Sequence, residues 1–267
     1  MSLGGTVAVV TGASRGIGEA VARRFASAGA AVAVSARTVE DGDHPLPGGI
    51  NNTLRSITAD GGTAIAVAAD LATPEERRRL VEAVERELGP VDILVNNAAV
   101  TYFEPVEDFE ESHYRLMFEV QVRAPFELAQ LVLPGMRRRG RGWILNISSG
   151  AARHPDGPPY GRRMRGGTVY GMCKAALERF STGLAAEVYA DGIAVNALSP
   201  SGLVATPGVT HHGLDRAVPA EGHEPIEYMV EAAHGLCSGD PGTLTGRVTY
   251  AKPILDELGI EVAVPSP

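Results

Sequence analysis

The sequence predicts an α/β fold in which a parallel β-sheet lies between layers of helices. Three observations support this prediction. Short apolar runs rich in Val, Ala and Ile alternate along the chain with longer segments of helical composition. The first apolar run leads through a glycine-rich turn into a helical segment, and small or polar residues follow several later runs. No internal repeat or interdomain linker interrupts the 267 residues, which are therefore expected to form one domain.

The composition restricts the classes of function. The net charge of −8 argues against a nucleic-acid-binding or membrane-surface protein, since either would need a basic face. The two cysteines, Cys173 and Cys237, fit neither a disulfide framework nor a zinc cluster and indicate a reduced, cytoplasmic protein. No signal peptide and no apolar run of about 18 residues is visible, so we expect no membrane association.

The first strand, predicted over residues 6–10, runs into a turn that contains Gly12, Gly16 and Gly18, and a helix is predicted over 19–28. Glycines let the backbone of such a turn approach a pyrophosphate, while the free amides and positive dipole end of the helix point at it. The turn therefore predicts a dinucleotide cradle. The alternative, a plain structural turn, stays open because the spacing differs from the commoner G-x-G-x-x-G pattern.

A second strand is predicted over residues 31–36, and Arg37 follows it. At this place in a dinucleotide fold an acidic residue would bind the ribose 2′-hydroxyl, whereas an arginine accommodates a 2′-phosphate. Arg15, in the glycine turn, is a candidate for a second positive charge at the same phosphate. The two arginines favour NADP(H), with NAD(H) as the other option; the alternative is that either arginine is merely solvated.

Residues 38–49 consist of turn-forming residues, and we interpret them as a surface insertion. A helix over 50–60 and a strand over 64–68 follow. Asp70 then has two interpretations that the sequence does not separate. Either it accepts a hydrogen bond from the adenine amino group, or it caps the helix predicted over 74–88.

Two later regions extend the pattern. A fourth strand, predicted over residues 91–95, is followed by Asn96 and Asn97. Amide side chains at a strand end suit the crevice where open α/β sheets bind ligands, although they are also common in turns. Residues 110–139 are predicted to be a long helical segment that Pro125 breaks or shifts.

A fifth strand is predicted over residues 143–147, with Ser148 and Ser149 at its end. The following residues, 151–167, are rich in Gly, Pro and Arg and are predicted to form a loop over the crevice. This loop is either a solvated surface or a lid that attracts an anionic substrate. Its basic residues are Arg153, Arg162, Arg163 and Arg165.

A helix that continues to about residue 190 begins near Tyr170, and Lys174 lies four residues later on the same face. The pattern Tyr-x-x-x-Lys is weak in isolation and gains force from its position after a serine at a strand end. The remaining predicted elements are a strand over 193–198, a substrate-side loop over 199–221, a helix over 225–237 and a last strand over 246–250.

These motifs occur in a fixed order along the chain: Thr11-Gly-Ala-Ser-Arg-Gly-Ile-Gly18, Asp70-Leu71, Asn96-Asn97-Ala98, Ser149, Tyr170-x-x-x-Lys174, and Asn196-x-x-x-Pro200 with Val204-x-Thr206. In this order they resemble the short-chain dehydrogenase/reductase family, including its hydroxysteroid-dehydrogenase-like and 3-oxoacyl-reductase-like members. The resemblance covers nearly the whole chain. It implies a three-layer Rossmann-type fold with a doubly wound parallel sheet of about seven strands, and a homotetramer or dimer. The cofactor-binding residues that it implies are Gly12, Ser14, Arg15, Gly16, Ile17, Gly18, Arg37, Asp70, Leu71, Asn97, Ala98, Tyr170, Lys174, Pro200, Val204 and Thr206.

The resemblance also implies a catalytic set. Tyr170 would donate a proton to the carbonyl oxygen of a substrate that receives hydride from the nicotinamide. An unperturbed tyrosine titrates near pH ~10, and the ammonium of Lys174 is expected to lower that pKa and to bind the nicotinamide ribose. Ser149 would hold and polarise the substrate oxygen. The predicted function is that of an NADP(H)-dependent carbonyl reductase or alcohol dehydrogenase acting on a small molecule.

The sequence departs from the family pattern at four places. Gln121 stands where the family has an asparagine that completes a proton relay. Ser149 and Tyr170 are unusually far apart, Ser201 interrupts the usual Pro-Gly, and residues 251–259 replace an Asp-Gly-Gly motif. The glutamine motivates an alternative function, a cofactor-binding protein that senses or scaffolds and turns over slowly. The arginine-rich loop motivates another, an enzyme for a phosphorylated or CoA-linked substrate.

Two further candidates are set aside. No metal site is predicted, because the adjacent His211 and His212 would point apart and the other histidines lack ligand spacing. Cys173, between Tyr170 and Lys174, is interpreted as a packed thiol rather than a nucleophile.

Overall fold

The computed structural model describes residues 2–160 and 165–264. Its centre is one sheet of seven parallel strands in the order β3-β2-β1-β4-β5-β6-β7. This confirms the predicted fold class, and each predicted strand lies within two residues of the observed one. The strands are β1 (Val7–Thr11), β2 (Ala31–Ala36), β3 (Thr63–Ala68), β4 (Ile93–Asn96), β5 (Gly142–Ile147), β6 (Ile193–Ser199) and β7 (Val248–Tyr250).

Helices cover both faces of the sheet. They are α1 (Gly16–Ser27), α2 (Ile50–Ala59), α3 (Pro74–Glu87), α4 (Glu111–Phe118), α5 (Ala124–Arg139), α6 (Thr168–Val188), α7 (Pro207–His211), α8 (Leu214–Ala217), α9 (Ile226–Ser238) and α10 (Ala251–Leu258). On one face Phe25, Ile57 and Met229 of α1, α2 and α9 pack against the sheet. On the other, Leu80 and Leu128 of α3 and α5 do so. The central strands are mostly apolar because both of their faces are buried, and their buried asparagines Asn96, Asn146 and Asn196 are hydrogen-bonded.

The order of the strands places a crevice at one edge of the sheet. From β1 the chain moves outward to β3, and it then returns to add β4 on the other side of β1. The β1 residue Val9 is paired with Leu94 of β4, so the two strands end together. The loops that leave them run to opposite faces, which opens a crevice at the carboxyl ends of the strands.

The long helical segment differs from its prediction at the proposed break. It consists of α4, a π-helical turn over Glu119–Arg123, and α5. The segment does not break at Pro125, since Arg123 and Ala124 are helical. The register shifts instead, as the second predicted alternative allows, in the π-helical turn that directly precedes Pro125. The turn carries Gln121, which makes it part of the site described below.

Other observed helix boundaries also differ from the predicted ones. Helix α1 begins at Gly16, three residues earlier than predicted, so the glycine turn itself forms the first helical turn. The predicted loop over 199–221 contains α7 and α8, and α10 was not predicted. Helix α7 follows Thr206, whose side-chain oxygen accepts a hydrogen bond from the amide of Val209 at 3.3 Å. That capping pattern was present in the sequence.

Within the described ranges, no helix combines the length and the apolar composition needed to cross a bilayer.

Candidate active site

A cleft of about 1260 Å³ opens at the carboxyl edge of the sheet. It is lined by the glycine turn, the ends of β2, β4 and β5, the start of α6 and the segment that follows β6. Every site residue predicted from the sequence lines this cleft except Gly18. The fold therefore brings together residues that are up to about two hundred positions apart in the chain, because parallel strands all end at the same edge.

The glycine turn packs so closely that side chains are excluded from it. Gly12 has φ +65°, and a Cβ there would stand 2.8 Å from Ala98 Cα. Gly18 does not face the cleft, because a Cβ at that position would collide with the Gly12 carbonyl oxygen and the Asn97 amide. No side chain caps the first turn of α1, so its amides are free to meet a ligand. These features fit the pyrophosphate of a dinucleotide.

Thr11 and Asn97 fix the turn to the end of β4. Asn97 Nδ2 donates to the carbonyl oxygens of Thr11 (2.9 Å) and Gly12 (3.1 Å). The amides of Asn97 and Ala98 both donate to Thr11 Oγ1, at 3.0 and 3.2 Å. The side chain of Asn97 therefore shapes the cradle, and Thr11 is a site residue that the sequence analysis missed, although it directly precedes the first glycine.

Residues 38–49 lie largely at the surface, as predicted, but the segment also borders the cleft. Thr38, His44 and Leu46 line the cleft beside Arg37. The guanidinium of Arg15, predicted to meet a phosphate, donates instead to three carbonyl oxygens of this segment. Turn-forming residues show that a segment is irregular, but only its tertiary contacts show which surface it covers.

The helix-capping interpretation of Asp70 was also wrong. The N-cap of α3 is Thr73, and Asp70 Oδ1 accepts a hydrogen bond from the amide of Ala72 at 3.0 Å. The amide of Asp70 donates to the carboxylate of Glu76 at 2.6 Å. Asp70 therefore orders the turn that leaves β3 and faces the cleft, while its bond to adenine stays a prediction.

Ser149, Tyr170 and Lys174 converge on one wall of the cleft. The Ser149 hydroxyl, which accepts from the amide of Ala151 at 3.2 Å, lies close enough to the Tyr170 hydroxyl to lower the pKa of the phenol. Lys174 is 3% exposed, its Nζ donates to the carbonyl oxygen of Ile147 at 2.9 Å, and it lies 5.6 Å from the centre of the Tyr170 ring. The end of β5 and the first turns of α6 thus place a hydroxyl, a phenol and an amine side by side.

The acid–base properties of this group differ from the prediction. Burial raises the pKa of Tyr170 above its ordinary value, and the nearby Ser149 hydroxyl only partly offsets that effect. Lys174 does not lower the pKa of Tyr170, contrary to the prediction. Burial lowers the pKa of Lys174 itself to about 8, and its ammonium group is directed at a backbone carbonyl rather than at the phenol.

Glu178 is a second residue that the sequence analysis missed. Its carboxylate accepts a hydrogen bond from Ser148 at 2.7 Å and raises the pKa of Lys174. Ser148 is therefore engaged with α6, which leaves Ser149 as the serine that meets Tyr170. The signal was available in the sequence, because Tyr170, Lys174 and Glu178 follow one another at intervals of four along one face of a helix.

Gln121 is buried at 1% exposure within the π-helical turn. Its Nε2 donates to the carbonyl oxygen of Val100 at 2.8 Å, and Val100 lines the cleft. Its Oε1 is buried without a hydrogen-bond partner among the described residues. The glutamine therefore supports the loop after β4 and leaves one acceptor unsatisfied.

Comparison with known proteins shows which family has this arrangement of glycine turn, serine, tyrosine and lysine. The family model for short chain dehydrogenases matches residues 6–216. The chain belongs to this family. Two similar proteins are a short chain dehydrogenase from Pseudocercospora fijiensis and an uncharacterized oxidoreductase from Methylorubrum extorquens. The first is 37% identical over 80% of this chain, which spans 65% of that relative's length, and the second is 36% identical over 93% of this chain and 90% of its own length.

A solved structure has a similar fold. The 3-oxoacyl (acyl-carrier-protein) reductase from Agrobacterium tumefaciens, crystallised with NADP bound, is 29% identical, covers 93% of either chain and superposes with a TM-score of 0.79. Short-chain dehydrogenases are oxidoreductases, and the cleft with its glycine turn occupies the place where such a fold takes a dinucleotide.

Aromatic side chains surround Tyr170 in the cleft of this short-chain dehydrogenase. Phe103 lies edge-on to Tyr170, with 5.9 Å between ring centres, and edge-on to His212 at 5.2 Å. On the other side the Arg153 guanidinium lies 6.0 Å from the centre of the Tyr250 ring, and both residues line the cleft. Arg165 forms an ion pair with Glu107 at 3.3 Å, whereas Arg162 and Arg163 lie outside the described residues. The predicted basic loop therefore contributes Arg153 to the cleft.

Cys173 is buried, and burial raises the pKa of its thiol to about 11. A thiol with that pKa is protonated at neutral pH and is a poor nucleophile. In the described parts of the chain no group of three or more His, Cys, Asp or Glu side chains is placed to hold a metal ion.

Proposed function

We propose that the protein is an NADP(H)-dependent carbonyl reductase or alcohol dehydrogenase with Tyr170 as its general acid and base. The observation that carries the proposal is the convergence of Ser149, Tyr170 and the buried Lys174 on one wall of the cleft that the glycine turn also lines. The exposed Arg37 at the end of β2 supports NADP(H), as does the NADP bound to the similar reductase.

The bound nicotinamide supplies or accepts the hydride. In the reductive direction negative charge develops on the substrate oxygen, which Ser149 orients by hydrogen bonding. The Tyr170 hydroxyl delivers a proton to that oxygen, and in the oxidative direction the phenolate receives it. The high pKa of Tyr170 keeps the phenol protonated and ready to donate at neutral pH. The Lys174 ammonium, which donates to Ile147 rather than to the phenol, would bind the nicotinamide ribose.

The first test is a fluorescence titration of the protein with NADPH and with NADH, repeated on Arg37→Ala. We expect NADPH to bind at least ~tenfold more tightly, a preference of ~1.4 kcal/mol, and Arg37→Ala to remove that preference. Tyr170→Phe should retain NADPH binding while carbonyl turnover falls by about 10²–10⁴-fold. Failure of both cofactors to bind, or turnover that survives in Tyr170→Phe, would refute the proposal.

One observation favours a second function. Gln121 replaces the relay asparagine of the family and leaves a buried acceptor unsatisfied, as expected if proton relay had been lost in a slow, cofactor-binding sensor or scaffold. The Gln121→Asn experiment described below separates the two functions.

We also propose that the protein forms a dimer or tetramer through α5 and α6. A groove between these helices is lined by apolar side chains such as Phe126 and Phe180 and by the charged Arg137, Arg179 and Glu187, and the Phe126 side chain is 46% exposed. A groove with an apolar centre and a polar rim is typical of a surface that a second copy covers.

A further inference from the structure

The β2–α2 segment, residues 38–49, is fastened to the glycine turn by one side chain. The Arg15 guanidinium donates to the carbonyl oxygens of Pro47 (2.7 Å), Gly48 (2.9 Å) and Leu46 (3.2 Å). A Cβ on Gly48 would stand 2.5 Å from a backbone carbonyl oxygen of the glycine turn, so only glycine fits that contact. The segment is therefore held in one position beside the cleft.

A hydrogen bond within the segment fixes the imidazole of His44. The amide of Leu46 donates to His44 Nδ1 at 3.0 Å. Because Nδ1 accepts, the hydrogen of the neutral ring lies on Nε2. Burial lowers the pKa of His44, and the positive charges of Arg15 and Arg37 and the nearby His211 lower it further. His44 is thus a neutral hydrogen-bond donor at pH 7.

His44 and Arg37 both line the cleft. Arg37 is exposed at the end of β2, and its charge is close enough to His44 to influence the titration of the imidazole. Arg15 lines the cleft too, but its guanidinium already binds three carbonyl groups. An anion at this place would therefore meet one cation, Arg37, and one neutral donor, the His44 Nε2–H group.

We propose that His44 is a specificity-determining residue for the cofactor: its Nε2–H group donates to the phosphate on the adenosine ribose beside Arg37. Arg15 is a positioning residue that acts by holding the β2–α2 segment in place. This inference rests on the proposed use of NADP(H). The inference makes residues 38–49 part of the nucleotide-binding site.

The test uses two ligands that differ only in the phosphate concerned, adenosine 2′,5′-bisphosphate and 5′-AMP, with binding to the full-length protein measured by calorimetry. His44→Ala is expected to weaken binding of the bisphosphate about tenfold, the value of one hydrogen bond to a charged group, and to change 5′-AMP binding by less than about twofold. His44→Gln should restore most of the loss, because the glutamine amide reaches about as far as Nε2. Pro45→Ala, an exposed neighbour in the same segment, is the control and should bind like the parent protein.

The role of Arg15 is tested by a double-mutant cycle. If Arg15 acts through His44, Arg15→Met weakens bisphosphate binding, and adding His44→Ala to it has little further effect. Limited proteolysis should also cut residues 38–49 faster in Arg15→Met. Additive losses would show that Arg15 binds the phosphate directly and would overturn that part of the inference.

The outcomes separate this inference from the proposed function. A parent protein that does not prefer the bisphosphate refutes NADP(H) preference and the role of His44 together. A parent protein that prefers it, with His44→Ala leaving the preference unchanged or weakening both ligands equally, overturns the role of His44 alone.

Discussion

Lys174 retains its positive charge at neutral pH although it is buried, and burial disfavours the charged form. Burial lowers its pKa to about 8, and the negative charge of Glu178, one helical turn further along α6, acts in the opposite direction. At neutral pH most of the lysine is therefore an ammonium ion. Glu178 also accepts the hydrogen bond from Ser148, so the same carboxylate connects the end of β5 to the helix that carries Tyr170.

Glu178→Gln should move the alkaline limb of the kcat profile to lower pH. The amide oxygen can still accept from Ser148, but the negative charge that raises the pKa of Lys174 is gone, so the ammonium form is lost at a lower pH. We expect a shift of about 0.5–1 unit, measured as carbonyl turnover between pH 6 and 10. Glu82→Gln, an exposed charge change on α3, is the control. An unchanged limb in Glu178→Gln would show that Lys174 does not set it.

Gln121→Asn should leave turnover unchanged or lower it. Asparagine is shorter by one methylene, and from the same backbone position its amide falls short of the Val100 carbonyl oxygen that Gln121 now binds at 2.8 Å. We expect kcat to fall by up to about tenfold and the cleft wall to loosen. Steady-state turnover with NADPH measures this. A rise of several orders of magnitude would instead identify the parent protein as the slow sensor or scaffold.

At the scale of elements, a buried ion-pair cluster positions the π-helical turn that carries Gln121. Arg77 of α3 is fully buried and forms ion pairs with Glu119 in the turn (2.7 Å) and Glu127 in α5 (2.9 Å). It also donates to the carbonyl oxygen of Leu71 at 2.8 Å. One cation therefore connects the end of β3, helix α3 and the distorted segment at the site.

Arg77→Met should lower the free energy of unfolding by about 2–3 kcal/mol, because Glu119 and Glu127 lose their buried cation and keep only the exposed Arg123 as an ion-pair partner. Arg79→Met is the matched control on the same helix. Its guanidinium is exposed and forms an ion pair with Glu76 at 3.4 Å, so its loss should be below about 1 kcal/mol. Urea unfolding of both variants measures the difference. Equal losses of unfolding free energy in the two variants would show that the buried Arg77 ion pairs stabilise the fold no more than an exposed ion pair.

At the scale of the whole molecule, the helices cover the two faces of the sheet differently. On one face α1, α9 and α10 cover the core with the chain's own helices. On the other, α5 and α6 cover the sheet but leave an apolar groove lined by Phe126 and Phe180, which lie edge-to-face at 5.8 Å. The exposed Phe126 makes this groove the expected place of association.

Phe126→Glu should convert the proposed oligomer into a smaller species, because a carboxylate at the centre of an apolar interface loses its hydration on association. Light scattering coupled to size-exclusion chromatography gives the mass. Val106→Glu, an exposed apolar residue elsewhere, should leave the mass unchanged. A parent protein that is monomeric at micromolar concentration contradicts the proposal.

The sequence by itself determined the fold class, the seven strands and the ends of the strands where polar residues gather. These depend on local patterns, since a strand buried on both faces must be apolar and a turn without Cβ atoms must be glycine. Together with the resemblance to short-chain dehydrogenases, such patterns singled out Ser149, Tyr170 and Lys174, which lie at the end of a strand and on one face of a helix.

Only the tertiary structure decided how these residues act on one another. Arg15 and Arg37 looked equivalent in the sequence, yet Arg15 binds the carbonyl groups of the β2–α2 segment and Arg37 is exposed beside the cleft. The pKa of Tyr170 is raised rather than lowered, because burial outweighs a lysine that is directed elsewhere. Desolvation and the direction of a side chain depend on contacts distant in sequence, which no local pattern encodes.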